Sequence, residues 1–409
     1  MQTKQSVLIM KKLLPLLIFI FICCSNDEIN KTNTKSFESK NNSSYENKGD
    51  ENNLYKEDIL TILEKSANWQ LNKWDKSGYW GVNETDWVNA TAFCGLLELA
   101  KISTKDTYEN RVLNVGEKLT WNTGSRKRHA DDYCIGQCYA ILYMKHKNEA
   151  MIAKWKKQAD EYILALPYNE SLAWRNNIYD REWAWCDALF MGPPALAYLS
   201  TATGNPDYLN KAIKLWWKTT DYLYDPNHNL FIRDSSFFTQ TEANGERIFW
   251  SRGNGWVVAG LIRLLENTPE SHPDRNALIQ LFIQMTKKIA TIQQPSGAWN
   301  ASLLDPLSYP IKETSGTSFH CYALAWGINN GFLSKEEYLP IVKGAWKSLV
   351  LSIDSSGKLT HVQPPGSAPN THSESDTAAY GVGAFLLAGT EVYKLAENKE
   401  SILSVPKFD

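Results

Sequence analysis

Asp187 is the residue whose surroundings most clearly suggest acid–base chemistry. It lies in residues 183–191, where its neighbours are tryptophan, phenylalanine and other apolar residues. Such neighbours desolvate a carboxyl group and raise its pKa, which is what a general acid needs near neutral pH. The position also suits an ordinary aspartate that caps a helix or complements its dipole. The sequence leaves both interpretations open.

A second acidic pair, Asp131 and Asp132, begins another helical pattern. One of the two is expected to cap that helix, and Asp131 is the better placed for it. Asp132 is then free to face the same site as Asp187. Two carboxyl groups on neighbouring elements are the arrangement that glycoside hydrolysis uses.

Residues 249–256 combine aromatic rings with a basic side chain. Arg252 offers a bidentate donor for a carboxylate, and Trp250 and Trp256 offer flat faces for stacking. Two glycines permit a tight turn, and Asn254 is expected to cap the helix that follows. The alternative is a structural turn with a surface arginine. The segment lacks the Lys-Ser/Thr pair of a phosphate loop, so nucleotide binding is not expected.

The elements that must position these residues are helices arranged in pairs. One set is amphipathic, with apolar residues at three- and four-residue spacing, and the other is apolar on all sides and must therefore be buried. Six hairpins of this kind predict an all-α fold, an (α/α)6 barrel whose inner ring is wrapped by an outer ring in a single domain. The expected outer helices lie near 55–72, 106–119, 149–165, 206–222, 274–292 and 335–352, and the inner ones near 88–103, 132–146, 186–202, 254–267, 317–331 and 376–395.

Long loops lead into the inner helices, and all of them should meet at one mouth of the barrel. Loops on a rigid scaffold commonly carry function, so an aromatic-lined cleft is expected there. Arg233 either reaches this cleft or forms a surface ion pair with Asp234. Thr314 or Ser315 is expected to cap the fifth inner helix. The aromatic residues of these loops are Trp183, Trp185, Phe231, Phe249, Trp250 and Trp299.

Composition excludes several classes of protein. The chain has 409 residues, of which 43% are hydrophobic and 22% charged, with a formal net charge of −2. These values argue against a wholly disordered chain, a collagen and a multi-span membrane protein. A nearly neutral chain also has no basic field for nucleic acid. The 16 Trp, 19 Tyr and 14 Phe suit a large core and stacking surfaces for sugars.

The N-terminus resembles an export signal. Two lysines precede an apolar run that is too short to span a bilayer, and residues 1–24 are predicted to be a lipoprotein-type signal with Cys24 as the lipid anchor. A plain secretory peptide is the alternative. Residues 25–53 are predicted to be a disordered tether, 54–398 the catalytic domain and 399–409 a tail. This organisation predicts an exported lipoprotein facing the periplasm or the surface of a Gram-negative-type bacterium.

The remaining cysteines do not form a disulfide framework. They are odd in number and sparse, and the seven histidines show no metal-ligand spacing. The cysteines are therefore expected to be small buried hydrophobic residues, with no metal and no cofactor. They are Cys94, Cys134, Cys138, Cys186 and Cys321.

Taken together, these segments resemble the family 105 glycoside hydrolases, the unsaturated rhamnogalacturonyl hydrolase-like enzymes, which are related to family 88. The motifs run in order across about 55–395, nearly the whole mature chain, and their combination is specific. The matching segments are residues 130–137, 185–191, 250–256, 313–317, 323–327 and 380–389.

The resemblance implies an (α/α)6 barrel that removes a 4,5-unsaturated uronic acid from the non-reducing end of oligosaccharides made by polysaccharide lyases. Such enzymes hydrate the C4=C5 enol ether instead of attacking the anomeric carbon. By this resemblance Asp187 is the general acid and base, and Asp132 assists and holds the sugar. The uronate subsite would be lined by Arg252, Trp256, Trp250 and Trp185.

Two departures from the family pattern concern substrate choice. The family often has Asn-Asp-His where this chain has residues 131–133, and many members have His where Arg233 aligns. An extra arginine favours an anionic or sulfated neighbouring sugar, such as rhamnose sulfate in ulvan fragments.

Two other functions fit the same residues. An ordinary inverting glycoside hydrolase would use Asp132 and Asp187 as base and acid. A lipid-anchored sugar-binding protein would keep the aromatic cleft without turnover. Two candidate acids favour an enzyme over a binding protein.

Overall fold

The computed structural model describes residues 53–79 and 81–399. The predicted signal with Cys24, the tether up to residue 52 and the tail beyond Lys399 lie outside the described residues. Within the described part, no helix combines the length and apolar character needed to cross a membrane.

The described residues form thirteen α-helices, one very short two-stranded antiparallel sheet and short turns of 3₁₀- and π-helix. The helices are α1 (Lys56–Ser77), α2 (Trp87–Leu99), α3 (Thr107–Lys118), α4 (Ala130–Tyr133), α5 (Gly136–His146), α6 (Ala150–Ala159), α7 (Ala188–Thr203), α8 (Pro206–Leu223), α9 (Ser251–Leu265), α10 (Arg275–Thr291), α11 (Thr314–Asn329), α12 (Lys335–Val350) and α13 (Ala379–Leu395). The strands are β1 (Tyr224–Asp225) and β2 (Leu230–Phe231), the 3₁₀ turns are Ile178–Asp180 and Ser235–Phe237, and the π turn is Asp160–Leu164.

Six helices form a closed inner ring. Each of α2, α5, α7, α9, α11 and α13 packs against the next, and α13 returns to α2. The outer helices α1, α3, α6, α8, α10 and α12 pack against this ring between consecutive inner helices. The predicted (α/α)6 barrel is confirmed.

The division into two rings follows from the sequence of each helix. Every residue of α9 is buried, as an inner helix requires, whereas α8 buries one face that includes Tyr208, Ala212 and Trp216. Outer helix α8 also starts as its sequence predicts, because Asn205 accepts a hydrogen bond from the backbone of Asp207 and Pro206 occupies the first helical position. Apolar periodicity thus decides which ring a helix joins.

Glycine lets two inner helices approach closely. A Cβ atom on Gly383 of α13 would lie 2.4 Å from the carbonyl oxygen of Thr91, and one on Gly95 of α2 would lie 2.5 Å from the carbonyl oxygen of Gly383. Any larger residue would push α2 and α13 apart, so these glycines help to close the ring.

The five cysteines of the described domain are free and buried, as predicted. The sulfur atoms of Cys94 and Cys138, on α2 and α5, lie 3.6 Å apart inside the ring.

Candidate active site

The N-terminal ends of the inner helices meet at one end of the barrel, which we call the mouth. Its carboxyl groups include Asp86 before α2, Asp131 in α4 and Asp187 before α7. Burial raises the pKa of all three above the ordinary value for aspartate. The mouth therefore gathers acidic groups in a poorly solvated place, which is the condition for acid–base chemistry near neutral pH.

Asp187 is only 8% exposed and makes no hydrogen bond that caps α7. Its Oδ2 atom lies 3.5 Å from Nε of Arg233 and 3.5 Å from the thiol of Cys186. Burial raises the pKa of this carboxyl, and the charges of Arg233 and Arg252 oppose that rise. The simple capping interpretation is therefore wrong, because the carboxyl makes no hydrogen bond to the first turn of α7.

Asp131 lies within electrostatic range of Asp187. Burial is the main reason that its pKa rises to about 8; Arg126 lowers the pKa, and the charges of Asp187 and Asp86 raise it. The helix that carries Asp131 is capped by His129, whose ring accepts a hydrogen bond from the backbone nitrogen of Asp131 at 3.3 Å. Because His129 supplies the cap, the Asp131 carboxyl is not used for it.

The structure differs from the expectation for both aspartates. Asp131 does not cap the helix, and Asp132 is not free. The Asp132 carboxylate accepts hydrogen bonds from Nε, a terminal guanidinium nitrogen and the backbone nitrogen of Arg126, at 3.0, 2.5 and 2.7 Å. An assisting role for Asp132 remains a prediction, but its charge is already balanced by a partner.

Arg233 reaches the mouth, where its guanidinium lies beside Asp187. Three contacts fix its position. The guanidinium donates a hydrogen bond to the Asp234 carboxylate at 2.6 Å, and its carbon lies 4.7 Å from the centre of the Trp174 ring. The backbone oxygen of Arg233 accepts a hydrogen bond from the backbone nitrogen of Cys186 at 2.8 Å. The side chain keeps 16% exposure. It is thus positioned both to stabilise the Asp187 carboxylate and to meet an anionic ligand.

Arg252, Trp256, Trp250 and Trp185 are buried beneath the mouth. The guanidinium of Arg252 donates to the backbone oxygens of Gln363 and Pro364 at 2.6 and 2.9 Å and lies over the Trp250 ring. Arg252 thus links α9 to the loop before α13. That the four residues line a uronate subsite stays a prediction; in this structure all four side chains are buried, and the ring of Trp185 lies against those of His129 and Trp174 at the mouth.

The partly exposed rings at the mouth are ones that the sequence analysis did not select. Trp174 and Tyr179 lie in the loop before α7, with ring centroids 5.0 Å apart, and Trp87 at the start of α2 stacks on Tyr380. The aromatic residues selected from the loops are instead buried. The position of Trp87 directly after Asp86 at a helix start was the available signal.

Two predicted helix caps are also replaced. Asn254 lies inside α9, where its side chain accepts from the backbone of Phe231 at 2.7 Å and donates back to it at 3.0 Å, so it joins β2 to α9. Glu313, and neither Thr314 nor Ser315, caps α11. Within residues 53–79 and 81–399, no three His, Cys, Asp or Glu side chains form a cluster suited to a metal ion.

Comparisons of the sequence and the fold with known proteins identify a family for this chain. Residues 62–396 match the sequence model of Glycosyl Hydrolase Family 88. A Formosa agariphila protein named unsaturated 3S-rhamnoglycuronyl hydrolase is 34% identical over 83% of this chain and 92% of its own length. A protein with the same name from an Alteromonas species is 33% identical over 81% and 84%. The solved structure of a family 88 glycosyl hydrolase from Bacteroides vulgatus aligns with a TM-score of 0.74 and 29% identity, over 83% of this chain and 99% of that one.

Proposed function

Because this chain belongs to glycosyl hydrolase family 88, we propose that it is an unsaturated uronyl hydrolase acting on lyase-generated oligosaccharides. Its substrate carries a 4,5-unsaturated uronic acid at the non-reducing end, linked to rhamnose. The names of two relatives that share about a third of its sequence support this substrate. The observation that carries the proposal is the placement of Asp187 and Asp131 together at the mouth, with Arg233 against Asp187.

The reaction begins with a proton transfer from the Asp187 carboxyl to C4 of the sugar. The C4=C5 electron pair forms the new C–H bond, and positive charge develops at C5, where the ring oxygen stabilises it. Water then adds to C5 and returns a proton to Asp187. The resulting hemiketal opens, and the glycosidic bond breaks as the product rearranges. One carboxyl group thus serves as acid and then as base.

The surroundings of Asp187 suit both halves of this cycle. Burial raises its pKa, which favours the protonated form that the first step needs. After the transfer, the new carboxylate lies 3.5 Å from Nε of Arg233, which stabilises it. Asp131, with a pKa of about 8, is mostly protonated at neutral pH and can donate a hydrogen bond to the sugar as well as accept one.

The direct test is the near-UV absorbance of the conjugated double bond. We expect the purified chain to remove this absorbance from rhamnose-containing lyase digests, and Asp187→Asn to leave it in place. In heavy water, hydration places deuterium at C4, whereas an ordinary inverting hydrolase does not. Persistent absorbance with pectin-, ulvan- and glycosaminoglycan-derived substrates would refute the proposal.

We also propose that the protein is exported and held at a membrane by a lipid on Cys24, so that it acts downstream of a secreted or surface polysaccharide lyase. The short apolar run before Cys24 and the polar residues after it support this proposal. Metabolic labelling with a palmitate analogue should mark the wild-type chain and the Cys23→Ser control but not Cys24→Ser. Labelling of Cys24→Ser would contradict the anchor.

A further inference from the structure

A small cavity of about 210 Å³ opens beside the mouth. Two segments form its walls. One contains Arg128, which precedes the helix cap His129, and the other contains Glu182, in the loop that leads to Asp187. The cavity therefore borders the segments that carry both proposed acidic groups. Its lining residues are Arg128, Leu166, Pro167, Tyr168, Asn169, Glu170, Arg181 and Glu182.

The two acidic residues of this cavity already have cationic partners. Nε of Arg181 lies 3.1 Å from the Glu170 carboxylate, and Nζ of Lys218 lies 2.9 Å from that of Glu182. Each carboxylate thus has a cationic partner of its own, so an additional basic residue gives the cavity a surplus of positive charge, although Arg128 also acts on Glu170 electrostatically.

Arg128 supplies that surplus. It is half-buried, and within residues 53–79 and 81–399 its side chain has neither a hydrogen bond nor an ion pair; its charge acts at longer range on Glu170 and Tyr168. A second cation adds to the field, because Nζ of Lys211 donates to the backbone oxygen of Leu166 and lies 5.2 Å from the centre of the Tyr168 ring. A guanidinium whose N–H groups make no hydrogen bond can donate them to a planar or tetrahedral oxyanion.

The cavity wall is held in a fixed shape. Tyr168 has a φ of 48°, which a non-glycine residue adopts at a cost in free energy. Its hydroxyl donates to the backbone oxygen of Tyr162 at 3.1 Å, and its own backbone oxygen accepts from Lys218 at 2.9 Å. A wall fixed by such contacts is organised before a ligand arrives, which lowers the entropy cost of binding.

We propose that this cavity binds a sulfate ester of the substrate and that Arg128 is the group that contacts it. The identity of the substrate rests on the proposed function: the sulfate belongs to the rhamnose next to the unsaturated uronate. The cavity has room for one charged substituent but not for a whole oligosaccharide. A carboxylate from a more distant uronic acid has similar chemistry, and the experiment separates the two sources.

The kinetic test compares an unsaturated disaccharide with a 3-sulfated rhamnose and the same disaccharide after desulfation. Arg128→Gln should lower kcat/KM on the sulfated substrate by at least about tenfold and change the value for the desulfated one less than twofold. Arg128→Lys should restore part of the loss. Lys127→Gln, which removes an exposed neighbouring charge, should behave like the wild type on both substrates.

A binding test works without turnover. Isothermal titration uses a saturated 3-sulfated rhamnosyl disaccharide, which has no C4=C5 bond to hydrate. The wild type should bind it at least about tenfold more tightly than Arg128→Gln, and added salt should weaken the wild-type affinity more. If the wild type binds but no unsaturated substrate is turned over, the proposed function fails and the sulfate site stands.

Other outcomes overturn the site. Equal affinity of the wild type and Arg128→Gln, or no binding by the wild type, rejects it. If Arg128→Gln loses affinity only for an unsulfated tetrasaccharide with an internal uronate, the cavity binds a carboxylate and the sulfate assignment is wrong. The melting temperature of Arg128→Gln should lie close to that of the wild type, since the removed side chain makes no hydrogen bond or ion pair among the described residues and acts on Glu170 only at longer range.

Discussion

The two ends of the inner helices both bury charged side chains, but they surround them differently. At the end opposite the mouth, which we call the base, Arg263 is fully buried; its Nε donates to the side chain of Gln137 at 2.7 Å, and a terminal nitrogen lies 3.7 Å from Glu98. Nearby, Glu266 accepts hydrogen bonds from the hydroxyl of Tyr198 at 3.0 Å and from the indole of Trp326 at 3.2 Å.

Two carboxyl groups at the mouth, those of Asp187 and Asp131, have more distant side-chain partners. The nearest side-chain contacts of the Asp187 carboxyl among the described residues are the Arg233 nitrogen and the Cys186 thiol, both at 3.5 Å. The ring of His129 lies 3.7 Å from the Asp131 carboxyl. The Glu266 carboxylate at the base thus accepts hydrogen bonds at 3.0 and 3.2 Å, whereas the nearest side-chain donors to Asp187 at the mouth lie 3.5 Å away.

The largest effect should come from Asp187→Asn. The amide keeps the shape of the side chain but cannot transfer a proton, so kcat should fall about 10³-fold or more, within the range for loss of a general acid or base. The absorbance assay measures this loss, and circular dichroism should show an unchanged helical fold. Activity above a tenth of the wild-type value would place the essential acid elsewhere in the mouth.

Arg263→Met tests the base. The substitution removes a buried cation and leaves the neighbouring carboxylates of Glu98 and Glu266 without its charge. It should reduce the free energy of unfolding by about 3–5 kcal/mol without changing kcat per folded molecule. Urea unfolding measures the loss. Lys101→Met is the control, because Lys101 pairs with Glu98 at 2.6 Å but is 60% exposed, and its removal should cost less than about 1 kcal/mol. A large fall in kcat for Arg263→Met would remove the distinction between the two ends.

The third comparison lies within the mouth, between two adjacent aspartates. Asp131→Asn should lower kcat/KM about 10²-fold, because Asp131 lies within electrostatic range of Asp187. Asp132→Asn should have a smaller effect, since Asp132 pairs with Arg126 and acts through the position of a loop. Steady-state kinetics of both variants decides the order. The reverse ranking would favour the role that the sequence analysis gave to Asp132.

The smallest effect concerns stability and pH. Burial raises the pKa of Asp131 from 3.8 to about 8, so the folded state holds this proton more tightly than the unfolded chain. Its contribution to stability is complete below about pH 4 and is lost as the pH rises through about 8. Asp131→Asn does not titrate; its melting temperature should equal the wild-type value near pH 4 and exceed it by a few degrees at pH 8. Calorimetry across this range should show a widening gap, not a constant one.

The sequence predicted the fold more completely than the site. Helix positions and the two rings follow from apolar periodicity, which each helix carries locally, and the predicted relationship to families 105 and 88 is confirmed. Asp187 and Arg233 were also selected correctly as residues that reach the mouth, since a charged residue amid apolar neighbours is visible in the sequence. The enzyme class is confirmed by the same relationship.

The contacts of the Asp131 and Asp132 carboxyl groups were not predictable in the same way. They depend on a histidine that caps the helix and on Arg126, which reaches back to Asp132 from the preceding loop. The burial of the loop aromatic residues was not predictable for a related reason, because a tryptophan stacks equally well on a sugar or in a core. Trp250, for example, donates to the side chain of Gln363 at 2.8 Å, a contact across more than a hundred residues.

By itself, the sequence determined that apolar and amphipathic helices alternate and that an aspartate and an arginine lie near the starts of inner elements. Those properties come from local periodicity and composition, and any compact packing must satisfy them. Only the tertiary structure decided which carboxyl groups share the mouth, which aromatic rings are buried and which cationic side chain makes no hydrogen bond or ion pair. These properties depend on distances between segments that are far apart in the chain. The free energy of a charged side chain depends more on how deeply it is buried than on which residue carries the charge.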